Sequence, residues 1–271
     1  MATTTLLAMC FSASIVSADT ISSEHKFVNE QSNTGMMAYV KPPKKPEAHS
    51  FDKLSRKKDY QHFTSGTGFF VTKNHIITNE HVVQGCKYVR VRGAVHPSHA
   101  KIVSSDPIND LALLYTAREP IQVASLRGNV SLDIGEDVNV IGYPLERGIS
   151  GEYSIQRAKI TSIADPYSGA NRMQFTDTVQ KGNSGGPLLD TNGTVVGVIV
   201  GKMSFYLADD DMEKAAPVKT SSVAIGLDSL KGFLASNKIF YRIDNTKNKF
   251  AEGWMERKAK DYVVNIHCVK D

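Results

Sequence analysis

The sequence predicts an all-β protein, and three observations carry that reading. From Ser65 onward, short runs of β-branched and aromatic residues recur at roughly 8–15-residue spacing, the rhythm of an antiparallel sandwich or barrel. Gly, Asn, Asp and Pro separate the runs, and two junctions, Lys73-Asn74 and Asn192-Gly193, have the chemistry of hairpin turns. Helical periodicity is confined to short segments near the C-terminus.

The elements follow in chain order. "MATTTLLAMCFSASIVSADT" is apolar, rich in small residues and too short to span a bilayer. Val16-Ser17-Ala18 fits a small-x-small cleavage site, so residues 1–18 read as a secretory signal peptide, although no Lys or Arg precedes the apolar stretch. Residues 19–60 are polar and Pro/Lys-rich, and read as a flexible extension. Part of the net charge of +4 sits in the run 41–60. That run reads as a solvated linker, because a nucleic-acid face would interleave basic and aromatic residues. The strand candidates then run from "TGFFVTKN" and "HIITNEHVV" through "YVRVRG", "AKIVSSD", "DLALLYTA", "DVNVIGYP", "ISGEYSIQRAKITSIA", "RMQFTDTV" and "GPLLDTNGTVVGVIVG" to "SSVAIGL". "SLKGFLASN" places Leu230, Phe233 and Leu234 on one helical face, and "AEGWMERKAKD" is a second short helix. "YVVNIHCV" alternates as a terminal strand, expected on the edge of the preceding sheet. Trp254 is expected to anchor the last helix to the strands. Residues 237–271 are too few for another domain.

Cysteine usage leaves two readings open. Once a leader is removed, Cys86 and Cys268 remain, an even pair that suggests a disulfide in an exported chain. The alternative is two buried thiols.

Three segments bear chemistry. "TNEHVV" puts His81 directly after a strand, "DPINDLALL" puts Asp110 at the mouth of an apolar strand, and "GNSGG" puts Ser184 in a glycine turn. A serine hydroxyl needs a base to take its proton and a carboxylate to fix the base's tautomer. It also needs convergent backbone N–H groups to hold an oxyanion, which glycine permits by letting the backbone approach. Singly, each residue has a structural explanation. Together, in the order His, Asp, Ser on an all-β background, they form a catalytic set.

"SGTGFFVTKNHIITNEHVV", "DPINDLALL" and "GNSGGPLLDTNGTVVGVIVG" resemble the trypsin-like serine peptidases, and within them the HtrA/DegP-type branch, from about Ser65 to about Leu234. The resemblance implies a double six-stranded antiparallel β-barrel with the site in the cleft between barrels. It divides the chain into a peptidase domain at 61–236, with barrel 1 near 61–125 and barrel 2 near 126–236, and a C-terminal helix-strand extension at 237–271 packed on the barrels. It implies a triad of His81, Asp110 and Ser184. The turn Gly182-Asn183-Ser184 becomes the oxyanion hole, with donors from Gly182 and Ser184. Val200, Gly201 and Lys202 become the strand that pairs with substrate backbone, and Thr178 the specificity position. No metal or organic cofactor is implied.

Three departures matter. Asn183 stands where digestive relatives carry the Asp that meets a new N-terminus, so zymogen-style cleavage is not expected. Thr178 is neutral where trypsin carries an acid. Asp177 is expected on the opposite face by strand alternation. The site should therefore prefer small or medium apolar residues before the cut. HtrA-type enzymes carry a PDZ domain after the protease, and here the chain ends before one. The tail instead resembles that of stand-alone bacterial trypsin-like peptidases, in which a cysteine after the "HVV" segment recurs with one near the C-terminus, and this resemblance implies a Cys86–Cys268 bridge. The expected function is a serine endopeptidase acting on protein or peptide substrates, exported to a periplasm or secreted. No nucleic-acid partner and no stable membrane insertion are expected, and the oligomeric state is open.

Two rivals were weighed. Gly182-Asn183-Ser184-Gly185-Gly186 also fits the nucleophile elbow of α/β-hydrolases, but that elbow opens a helix, whereas Pro187 and a hairpin pattern follow here. The other rival is an inactive trypsin-like scaffold acting as a peptide- or protein-binding module. His96 and His99, three apart around Pro97, read as a loop and not a metal site.

Overall fold

A computed structural model describes residues 63–128, 131–145, 152–163, 171–205, 219–246 and 252–270. The readings of a leader at 1–18 and an extension at 19–60 lie outside the described residues.

The elements in order are β1 (Phe63–Phe70), β2 (His75–Thr78), α1 (Glu80–Val83), β3 (Tyr88–Gly93), β4 (Ser98–Asp106), β5 (Leu111–Tyr115), β6 (Ser125–Arg127), β7 (Asp137–Gly142), β8 (Ser154–Ser162), β9 (Arg172–Phe175), β10 (Pro187–Asp190), β11 (Val195–Phe205), β12 (Lys219–Gly226), α2 (Leu227–Ser236), β13 (Arg242–Asp244), α3 (Glu252–Lys260) and β14 (Val263–Val269). They form two closed barrels. Barrel 1 runs β1-β14-β3-β4-β5-β2 and closes through the β1–β2 hairpin. Barrel 2 runs β10-β7-β8-β9-β12-β11 and closes through β10–β11. Both are six-stranded and antiparallel, as expected. β6 adds parallel to β11 at the flank of barrel 2, and β13 adds parallel to β6.

Local chemistry explains most of the strands. β5 reads Leu-Ala-Leu-Leu-Tyr and buries its first four residues, and β2 buries Ile76, Ile77 and Thr78. Side chains from both faces of such strands are sequestered, inside the barrel and between barrels, so the apolar runs are nearly continuous. The interior of barrel 2 is built from Val138, Val140, Ile160, Phe175, Leu188, Val196 and Ile199. The β10–β11 turn forms at Asn192-Gly193 as expected. Asp190 Oδ1 accepts from the Asn192 and Thr194 N–H groups, and Gly193 sits at φ +75°.

The C-terminal segment requires a correction. The alternation at 262–269 does make a strand, but β14 is not added to the edge of the second sheet. It lies inside barrel 1, between β1 and β3, with seven register pairs to β1 from Phe63↔Val269 to Phe69↔Val263. Residues 237–271 are therefore not merely packed on the barrels, because β14 is one of the six staves of barrel 1. Trp254 is only half-buried. The residues of α3 that face the core are Met255 and Ala259, followed by fully buried Tyr262. Cys86, just past α1, is bonded to Cys268 on β14, with Cα atoms 5.4 Å apart.

Candidate active site

His81 is the second residue of α1, a single turn that follows β2 directly. Asp110 precedes β5. It has φ +57°, in the left-handed region that Asp tolerates at some cost. Three groups hold it there. Its carbonyl accepts from Asn79 Nδ2 at 2.9 Å and from the Glu80 N–H at 3.2 Å. Upstream, the Asp106 carboxylate caps the turn by accepting from the N–H groups of Ile108 and Asn109 and from Asn109 Nδ2. Burial opposes the charge of Asp106, but these bonds outweigh it and keep the carboxyl below its ordinary range.

The Asp110 carboxylate reaches His81 Nδ1 at 2.8 and 3.0 Å and also accepts from the His81 backbone N–H at 3.0 Å. Nδ1 then carries the imidazole proton toward the carboxylate, and Nε2 is left as the basic nitrogen. Sequence order thus became contact across 29 residues.

Ser184 is carried by the turn between β9 and β10. Gly185, at φ +84°, is packed so closely that a Cβ there would lie 2.2 Å from both Thr67 O and Thr78 Oγ1 and 3.0 Å from the Asn79 backbone nitrogen. Only glycine lets the Ser184 turn sit against the end of β2, beside His81. The hydroxyl itself does not point at His81. It donates to the Val200 carbonyl at 2.8 Å. A register shift between Ile199 and Gly201 leaves Val200 outside the β11–β12 ladder, which aims that carbonyl at Ser184. His81 with Asp110 is thus assembled, while the Ser184 hydroxyl rests on the candidate substrate strand.

The turn's peptide planes are held one by one. Lys181 O accepts from the Leu145 N–H at 2.7 Å, and Asn183 O accepts from the Gly186 N–H at 2.9 Å. In a trans peptide the N–H points opposite to the C=O. The Gly182 and Ser184 N–H groups are therefore turned away from those contacts, and neither has a protein acceptor among the described residues. Gly182 itself stands at φ +100°, where a Cβ would meet Tyr143 O at 2.4 Å. Asn183 is fully buried, and neither end of its amide has a partner among the described residues. It presents no charge for an α-amino group to meet.

The specificity side differs from expectation in one respect. Residues 176–178 follow β9 as a bend, so strand alternation does not govern them. Asp177 Oδ2 accepts from Thr220 Oγ1 at 2.7 Å, and Oδ1 lies 3.0 Å from Lys202 Nζ. The Thr220 bond first, and Lys202 beside it, hold the Asp177 carboxyl below its ordinary range. Asp177 is thus turned toward β11 and β12, and Lys202 neutralises it. Thr178 Oγ1 donates back to Thr176 O, while the N–H groups of Thr178 and Val179 both reach Ser222 Oγ at 3.2 Å. Among the described residues, no group of three or more His, Cys, Asp or Glu side chains is arranged to hold a metal ion.

The trypsin-like peptidase domain family matches residues 66–198, a span containing His81, Asp110 and Ser184. Residues 66–198 belong to the trypsin-like peptidase family. The chain is 32% identical over 163 residues to the serine protease Do-like HtrA of Bacillus subtilis, covering 55% of this chain and 35% of that protein. It is 39% identical over 210 residues to the uncharacterised protein y4bJ of Sinorhizobium fredii, covering 76% of this chain and 32% of that protein. The chain thus spans about a third of the length of these curated relatives. Among solved structures, the active form of the Rv3671c protease of M. tuberculosis superposes with a TM-score of 0.51 at 25% identity, over 69% of this chain and 85% of that one.

Sequence reasoning missed three participants in the trypsin-like site. Asn79 and Asp106 shape the Asp110 turn, and the Asx-turn chemistry of "DPIND" was a readable signal for the second. Thr67 was the third. A threonine between two glycines on a buried strand was its only trace.

Proposed function

We propose that the chain is a serine endopeptidase that hydrolyses peptide bonds of protein or peptide substrates through an acyl-enzyme. The observation that carries this reading is the doubly bonded His81–Asp110 pair, packed against a glycine turn whose Gly182 and Ser184 N–H groups are uncommitted. The Ser184 hydroxyl leaves Val200 O, gives its proton to His81 Nε2, and Oγ attacks the peptide carbonyl carbon. The Gly182 and Ser184 N–H groups hold the resulting oxyanion. The C–N bond breaks as His81 passes the proton to the departing amine. Water, deprotonated by His81, then attacks the acyl carbon and releases Ser184 with its proton restored. Asp110 stays ionised and keeps the imidazole oriented.

Val200, Gly201 and Lys202 lie at the bulged stretch of β11, which suits them to pair with substrate backbone. Lys202 cancels Asp177, and Thr178 is neutral, which supports small or medium apolar residues before the cut. The leader-like residues 1–18 and the joined Cys86 and Cys268 support export to an oxidising compartment, periplasmic or secreted. Domain limits of about 61–236, with β14 returned from the tail, follow from the same reading.

Ser184→Ala tests the mechanism. Turnover of an unfolded protein substrate should fall by about 10⁴-fold or more, while the melting temperature stays within a degree or two. A fluorophosphonate should label the parent and not the variant. Peptidase activity retained in Ser184→Ala would overturn the acyl-enzyme. A parent that fails to label would favour the binding-module reading.

A further inference from the structure

Thr67 makes four hydrogen bonds, two of which tie the first barrel to the nucleophile turn of the second. It lies mid-strand in β1 and is fully buried. Its N–H donates to the Ser184 carbonyl at 2.8 Å. Its hydroxyl donates to the Gly182 carbonyl at 2.7 Å and accepts from the Tyr143 N–H at 3.0 Å. Its carbonyl accepts from Thr78 Oγ1 at 2.7 Å, on the strand that leads to His81. Gly142 and Gly186 also crowd it: a Cβ at Gly142 would lie 2.8 Å from Thr67 Oγ1, and one at Gly186 would lie 3.1 Å from its methyl group.

The consequence follows from peptide geometry. Gly182 has two neighbouring peptide planes. Leu145 fixes the first through Lys181 O, and that plane carries the Gly182 N–H. The second carries Gly182 O. Its other end, the Asn183 N–H, is tied back within the turn to Gln180 O at 3.0 Å. Without an outside donor on Gly182 O, this second plane would be free to rotate as a unit with Gln180–Asn183. The buried Asn183 amide gives no help, since it bonds nothing among the described residues. Thr67 is the one side chain among them that hydrogen-bonds the backbone of 181–185. The same residue fixes the Ser184–Gly185 plane through its own N–H. The planes that carry the Gly182 and Ser184 N–H groups are held by Leu145 and Gly186, and Thr67 holds the plane that follows each of them.

We propose that Thr67 is a positioning residue for acyl transfer: its hydroxyl locks the Gly182 carbonyl against β7 so that the Gly182 and Ser184 N–H groups converge before substrate arrives. The proposal rests on the endopeptidase reading above. It assigns the hydroxyl a role that β-strand packing does not need, because a valine has nearly the same shape. Donors held ready before the reaction cost no reorganisation in the transition state, and a displacement of about 1 Å at such a site costs on the order of 10²-fold in rate.

The test compares Thr67→Val, Thr67→Ser and Thr67→Cys with the parent on a peptide p-nitroanilide carrying valine before the scissile bond. Thr67→Val should lower kcat by about 10- to 100-fold with KM within about threefold, because substrate strand pairing at β11 is untouched. Thr67→Ser keeps the hydroxyl and should stay within about threefold of the parent kcat. If Thr67→Val does not fold, Thr67→Ser and Thr67→Cys carry the same comparison. They differ in oxygen against a weak sulfur donor, and kcat should differ by at least about tenfold. Parent-like kcat in Thr67→Val, or equal kcat in Thr67→Ser and Thr67→Cys, would overturn the assignment. Failure of the endopeptidase reading looks different: the parent itself would then show no turnover and no fluorophosphonate labelling, or Ser184→Ala would keep the parent's activity, whatever Thr67 does.

Discussion

Lys202 and Asp177 form an ion pair, 3.0 Å apart, next to the proposed specificity residue Thr178. Asp177 is only partly exposed, and its carboxylate is met by Thr220 Oγ1 and Lys202 Nζ. Lys202 sits on the bulged strand that would receive substrate, half-exposed, with a flexible stem. Removing its charge leaves the Asp177 carboxylate with only the Thr220 and Ser222 hydroxyls as partners. Lys202→Met, which keeps the stem, should raise kcat/KM for peptides with Lys or Arg before the cut. The expected gain over the valine peptide is about tenfold, the scale of one new charge pairing at a partly solvated site. Paired p-nitroanilide substrates measure it. An unchanged ratio would mean that Asp177 does not face the bound residue. Strand alternation does not govern this residue, because it lies in the bend after β9, where the period of two no longer holds. The same limit hid the orientation of Ser184. The glycines around it were legible as room for close backbone approach, but the bulge at Val200 that captures its hydroxyl depends on register with β12.

At the scale of elements, α1 is only four residues long, too short to hold itself together by helix hydrogen bonds. Tertiary contacts position it. Asn79 and Glu80 bond to Asp110 O on one side, and Cys86, three residues past its end at Val83, is joined to β14 on the other. The bridge spans 182 residues. By the chain-entropy account, closing so long a loop stabilises the fold by about 5 kcal/mol. Replacing both cysteines by serine should lower the unfolding free energy by about 2–5 kcal/mol, read as a lower denaturant midpoint. Activity at low temperature should persist, since the His81–Asp110 bonds do not involve either sulfur. Equal midpoints for parent and variant would show that the loop is open in solution. The hairpin elements were readable because their information is local: Asn192-Gly193 with Asp190 is a complete turn instruction. The partner of β14 was not readable. Alternating Val264, Ile266 and Cys268 prescribe a strand with one buried face, but nothing within the strand names β1 and β3 as its neighbours.

At the scale of the whole molecule, that pairing makes barrel 1 a joint product of both ends of the described chain. β1 and β14 meet across roughly 200 residues, and β14 also pairs with β3 from Tyr88↔Val269 to Gly93↔Val264. Barrel 1 cannot close before the last strand is available, and contacts of such long range slow folding because loop-closure entropy is lost before they form. Ending the chain after Asp261 would remove Tyr262, Val263, Val264 and Ile266, each at most 2% exposed. At about 1.5–3 kcal/mol per large buried side chain, that loss matches the whole stability of a typical domain. It would also strip β1 and β3 of one ladder partner each and expose two sheet edges to aggregation. None of His81, Asp110 or Ser184 is removed. The truncated chain should nevertheless be unfolded or insoluble and inactive, and a synthetic peptide of residues 262–270 supplied during refolding should restore part of the activity by strand addition. Circular dichroism and p-nitroanilide turnover, with and without the peptide, measure both arms. A truncated chain with the parent's spectrum and turnover would show that barrel 1 closes without its sixth stave. A folded truncation without turnover would instead place the effect of β14 at the site, through Thr67 on the neighbouring strand.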